Sequence, residues 1–112
     1  MRVFRVQDAY GRGPYVGPGW PVWGPARRFD HDNAAHPSPL NDGLEAPAMR
    51  GECAFTSRAQ ARAWFSPAER RIMRRAGYVL HEFDAPPDTV AVLGHQAVID
   101  LKRARLVGKC RW

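Results

Sequence analysis

Cysteine is scarce in this 112-residue chain, where only Cys53 and Cys110 carry a thiol. A structural zinc site draws about four ligands at short spacings, and two lone cysteines do not frame one. His31 and His36 stand five apart, a loose spacing for a shared ion, so no metal is expected. Long apolar runs are missing as well, and none approaches the roughly 18 residues of a membrane-spanning helix. Nor does the chain open on a secretory leader: Met1-Arg2-Val3-Phe4-Arg5-Val6 alternates like a strand, with no apolar stretch behind it. These absences point to free thiols rather than a disulfide, no membrane partner, and a cytoplasmic location.

What the chain has in excess is arginine, glycine and proline. Lysine and arginine together number 17 against 11 acidic residues. Residues 1–51 hold six basic and five acidic side chains, whereas residues 52–112 hold eleven and six. The surplus therefore lies in the second half. A chain of this length has room for one domain, 1–112, around one core.

Residues 2–7 alternate, with Val3 and Arg5 on one face and Phe4 and Val6 on the other, which predicts a strand. Residues 8–51 then take seven of the ten prolines and seven of the ten glycines, a composition that forbids regular helix or central strand. Tyr10, Tyr15, Trp20, Trp23 and Phe29 argue against disorder there. The expectation is a long, ordered, Pro/Gly-rich loop laid over one face of a small sheet. Loops of this length are often functional, but covering the core is an equal account of it.

After a short strand at residues 52–56, Thr56 or Ser57 caps a helix reaching Phe65. Ser66-Pro67-Ala68-Glu69 opens a second helix with a capping box and a proline at its first position. Ala68, Ile72, Met73 and Ala76 are expected on one face of that helix, Arg70, Arg71, Arg74 and Arg75 on the other, with Gly77 closing it. Strands follow at 78–84, 89–93 and 96–100, the last two joined through Gly94-His95. Asp100 caps a single turn before a final strand at 105–107. Segregated strands and helices make this an α+β chain, with a small, mainly antiparallel sheet and two short helices.

Three places concentrate polar chemistry. Arg5 is a charge in mid-strand, which needs a partner or a cleft. Phe55-Thr56-Ser57 joins a strand end to a helix start, where hydroxyls and free amides converge. Gln96 lies on the late hairpin beside His95. This order, a strand with Arg5, then Phe55-x-Ser57 and a helix with Ala61-x-x-Trp64-Phe65, then a late hairpin with Gln96, resembles the minimal core of ADP-ribosyltransferase-like proteins. The resemblance implies an NAD-binding cleft: Arg5 holding the phosphates, Thr56 and Ser57 bracing the nicotinamide, and Gln96 near the catalytic hairpin position. Gln96 and Ser57 are then the catalytic candidates. The hairpin reads Gly94-His95-Gln96-Ala97-Val98 and lacks the carboxylate that stabilises an oxocarbenium-like transition state. Arg5-Val6-x-Asp8, Gly11-x-Gly13-Pro14-Tyr15 and Ala63-Trp64-Phe65 are also similar to small uncharacterised bacterial and phage proteins.

Ser57 with His36 or His81 and Asp84 can be written as a triad, but no nucleophile elbow exposes the serine. His81, between apolar strand neighbours, reads as structural. Arg70, Arg71, Arg74 and Arg75, with Arg58 and Arg62, form a positive surface suited to nucleic acid or to an acidic protein. A solvated helix face accounts for the same arginines. The alternative to the NAD cleft is thus a non-enzymatic binding module.

Overall fold

The computed structural model describes residues 1–14, 42–43 and 51–112, in which two helices pack against two three-stranded antiparallel sheets. The class is α+β, as the segregation of helical and strand patterns requires. Strand β1 (Arg2–Gln7) pairs along its whole length with β3 (Val79–Asp84), from Arg2 opposite Asp84 to Gln7 opposite Val79. Strand β6 (Arg105–Cys110) pairs with the other edge of β3. The second sheet has the order β2-β5-β4, from β2 (Glu52–Ala54), β5 (Ala97–Ile99) and β4 (Val90–Val92). Reciprocal backbone bonds between Phe4 and Phe55, at 2.8 and 2.7 Å, tie the two sheets together.

Alternation along β1 decides what each face meets. Val3 packs with Ala54, Phe83, Ala85 and Ile99, between the sheets. Val6 packs with Phe55, Ala61, Trp64, Phe65, Met73, Tyr78 and Leu80, beneath the helices. β1 is therefore covered on both faces, which is why most of it is buried. Each large apolar side chain removed from water in these clusters contributes about 1.5–3 kcal/mol.

Both helices begin where their caps dictate. The Ser57 hydroxyl accepts from the Gln60 N–H at 3.0 Å at the start of α1 (Arg58–Trp64). At the start of α2 (Pro67–Arg75) the Ser66 hydroxyl accepts from the Glu69 N–H, while Glu69 accepts from the Ser66 N–H. Gly77 follows with φ 86°. The apolar face of α2 is narrower than its sequence implies: Met73 is buried, Ile72 half-buried, and Ala68 and Ala76 are exposed. The helix lies at the margin of the core and touches it along one stripe.

Two expectations need correction. The strands form two sheets rather than one, because β1 offers β2 only the Phe4–Phe55 bridge. The last strand continues to Cys110 instead of stopping at Val107, since β3 presents a full free edge to it. Its register shifts opposite Glu82 and Phe83, which face Gly108 and Leu106 respectively; Val107 is the extra residue of a bulge. The β4–β5 hairpin does turn through Gly94-His95, with the Leu93 N–H donating to the Gln96 carbonyl at 2.8 Å. Asp100 caps its single turn by accepting from the Lys102 N–H. Cys53 and Cys110 are free thiols. No helix among the described residues is long and apolar enough to cross a membrane. The loop expected over residues 8–51 lies mostly outside the described residues, as do His31, His36 and the aromatics from Tyr15 to Phe29.

Candidate functional site

Arg5 emerges from β1 with its side chain almost wholly buried, and burial pushes its guanidinium pKa down while Glu52 and Asp8 support the charge. It stays charged, because arginine does not lose its proton in proteins. Every nitrogen is engaged. Nε donates to Gln7 Oε1 at 3.2 Å, and Nη1 to the Cys53 carbonyl at 2.9 Å. Nη2 donates to the Gly11 carbonyl at 3.4 Å and lies 3.3 Å from Glu52 Oε2. The mid-strand arginine is thus partnered on the inner side of the sheet, where the sequence left it without a visible counterpart.

Asp8 builds the turn that closes over this guanidinium. Its carboxylate accepts from the Tyr10 and Arg12 backbone N–H groups, each at 2.9 Å, and from Arg12 Nε at 2.7 Å. Burial alone would raise the Asp8 pKa, but the Arg12 amide and guanidinium and the Tyr10 amide hold it below its ordinary value. The turn carries Gly13 against Arg5, so close that a Cβ there would lie 3.1 Å from Nη2. Arg12 also stands over the exposed Tyr10 ring, 4.9 Å from its centroid.

Gln96, only 2 % exposed, enters from beside the turn of the β4–β5 hairpin. Arg5 and Gln96 line one cavity of about 150 Å³, together with Gly13, Pro14, Glu52 and Cys53. Its apolar wall is Val6, Phe55, Trp64 and Phe65. The Phe55 ring lies 5.6 Å from that of Trp64 and 6.2 Å from that of Phe65, in tilted and edge-on contact. These contacts fix the wall, since aromatic pairs favour such geometries. A volume of this size holds one ring with a small substituent, well short of the roughly 300 Å³ at which whole small-molecule sites begin.

The structure brings Arg5 and Gln96 together but leaves Thr56 and Ser57 outside the lining. The Ser57 hydroxyl serves the helix cap, and the Thr56 N–H and hydroxyl both face Gln60 Oε1, at 2.8 and 3.3 Å. No triad forms among the described residues: His81 Nδ1 sits 3.1 Å from the Val79 carbonyl, and Asp84 pairs with the N-terminal ammonium at 3.2 Å. Sequence reasoning missed Glu52 and Cys53. Their signal was register: Glu52 and Cys53 begin the short strand that leads to Phe55, the residue bridged to β1. Among the described residues no group of three or more His, Cys, Asp or Glu side chains is placed to hold a metal ion.

The arginines divide between structure and surface. Arg70 is half-buried, and its Nη1 donates to the Arg62 and Phe65 carbonyls at 2.8 and 2.9 Å, satisfying the end of α1. Arg58 donates through Nε to the Arg111 carbonyl at 2.9 Å. Arg62, Arg71, Arg74 and Arg75 are exposed.

No curated protein and no solved structure matches this chain. The family model described as Bacteriophage T4 Y00F protein matches it over residues 1–112, in keeping with its likeness to small phage proteins, and the chain belongs to that family.

Proposed function

We propose that this phage-type protein binds the nicotinamide end of NAD, or a nucleotide of the same build, in the cavity between Arg5 and Gln96. The observation that carries the reading is the convergence of a buried guanidinium and a buried carboxamide on one aromatic-walled space of ring size. A primary amide on a planar ring matches a glutamine side chain donor for acceptor. The resemblance to ADP-ribosyltransferase-like proteins supports the same ligand. Arg5 and Gln96 line the ligand space, while Thr56 and Ser57 act through α1 rather than on the ligand.

The carboxylate on the described wall, Glu52, is already ion-paired with Arg5 and is not placed to steady an oxocarbenium-like centre. Isothermal titration with NAD, nicotinamide and ADP-ribose tests the proposal. Saturable binding of NAD that weakens at least tenfold in Gln96→Leu, with the melting temperature checked in parallel, is the expected result. Absence of heat at millimolar NAD and nicotinamide would overturn it.

A further inference from the structure

The cavity leaves a lopsided surface of the described residues unexplained. Arg58 and Arg62 stand four apart on α1, and Arg70 and Arg74 four apart on α2, so each pair shares a helix face. Hydrogen bonds connect the two stripes and extend them. Arg70 reaches back to the Arg62 carbonyl, and Arg58 reaches the carbonyl of Arg111 beyond β6. Arg111, Arg58, Arg62, Arg70 and Arg74 are therefore linked, residue to residue, across α1, α2 and the segment after β6, with Arg71 and Arg75 also on α2.

Against its arginines the two helices carry one acidic residue, Glu69, whose carboxylate accepts from the Ser66 N–H. Among the described residues Arg58, Arg62, Arg71, Arg74 and Arg75 make no ion pair, whereas Arg5, Arg12, Arg103 and Arg105 each have a carboxylate. Like charges at i,i+4 destabilise a helix by about 0.2–0.5 kcal/mol per pair. The two helices carry that cost although glutamine would serve a merely solvated face as well.

The chemistry of the band selects its partner. Protein interfaces have a charge-poor centre with aromatic or aliphatic anchors. The large exposed apolar side chains of the described residues are Met1, Tyr10, Val92, Leu106 and Val107, none of them on α1 or α2. A face of guanidinium groups without an apolar centre fits a phosphate backbone, which needs forked donors and displaced counterions. We propose that the arginine band of α1, α2 and Arg111 binds the sugar-phosphate backbone of nucleic acid without regard to sequence.

The test is fluorescence anisotropy of a labelled 20-base-pair DNA duplex and the matching single strand, titrated with the full chain. Arg62, Arg71, Arg74 and Arg75 are exchanged together for glutamine, and Arg70 is left in place because it caps α1. The wild-type chain is expected to bind at 50 mM salt and to lose about a hundredfold in affinity by 200 mM, as neutralising four phosphates requires. The variant is expected to lose at least tenfold at 50 mM and to show a shallower salt slope, with an unchanged or higher melting temperature. Poly-glutamate serves as the acidic-protein control. Equal binding by the variant, no binding at 50 mM salt, or preference for poly-glutamate over both nucleic acids would each overturn the proposal. None of these outcomes depends on the NAD titration.

Discussion

Asp42 and Gly94 lie so close that a Cβ added to Gly94 would stand 2.8 Å from Asp42 Oδ1. Asp42 holds the hairpin tip from 52 residues away in sequence. Its carbonyl accepts from the Gly94 N–H at 3.1 Å, and its carboxylate accepts from the His95 N–H at 2.8 Å and meets His95 Nδ1 at 2.7 Å. Neither Gly94 nor His95 has a positive φ. The glycine is needed for the close approach of Asp42, not for a left-handed turn.

That contact predicts a coupled pair of substitutions. Gly94→Ala should destabilise the fold by about 1–3 kcal/mol, the usual range for overpacking. Asp42→Ala should cost about 1–3 kcal/mol through unpaired amides at the tip. The double variant should be less destabilised than the sum, because removing the carboxylate makes room for the new methyl group. Urea denaturation of the four proteins measures the coupling.

Stability should decline over two separate ranges as pH falls. His81 is buried opposite Arg5 on β1 and Lys109 on β6. Burial first, then those two cations, hold its pKa below the ordinary value, against the Val79 carbonyl. The unfolded chain binds this proton more readily, so stability is full above about pH 6.5 and declines as pH falls from there toward the folded pKa. Asp8 follows with its lowered pKa, whose contribution is present above about pH 4 and lost as pH falls through the folded value. Melting temperature against pH should show both limbs. His81→Gln should flatten the upper one and Asp8→Asn the lower.

Ser57 and Ser66 should behave alike, as helix caps. Either serine changed to alanine should cost about 1 kcal/mol. Ser57→Ala should leave NAD binding within about twofold of wild type, because its hydroxyl is spent on the Gln60 amide. Titration calorimetry beside thermal denaturation separates the two effects. A large loss of affinity at full stability would return Ser57 to the ligand site.

The turn at Asp8 should matter more to the cavity than its position suggests. Asp8→Ala removes the acceptor of two backbone amides and of Arg12 Nε at once, and is expected to cost about 2–4 kcal/mol. Gly13 and Pro14 line the cavity, so ligand affinity should fall with it. Gly13→Ala, whose methyl group would press on the Arg5 guanidinium, should weaken binding with a smaller loss of stability.

Local signals in the sequence determined the local structure. The Ser57 and Ser66 caps, the Pro67 start and the alternation of β1 each depend on neighbours a few residues away, and chain chemistry alone specifies them. The α+β class followed from their order. Long-range register decided the rest. Whether Arg5 faced solvent or a partner turned on Glu52, Cys53 and Gly11, and nothing near Arg5 in sequence specifies that Glu52 and Cys53 lie beside it. Arg70 read as one of four equivalent surface arginines until its bonds to Arg62 and Phe65 set it apart. The split into two sheets and the extension of β6 along β3 likewise depend on which backbone edges remain free after packing. Pairing between distant segments is a property of the assembled core, where burial makes each unsatisfied polar group costly and so selects one arrangement among many.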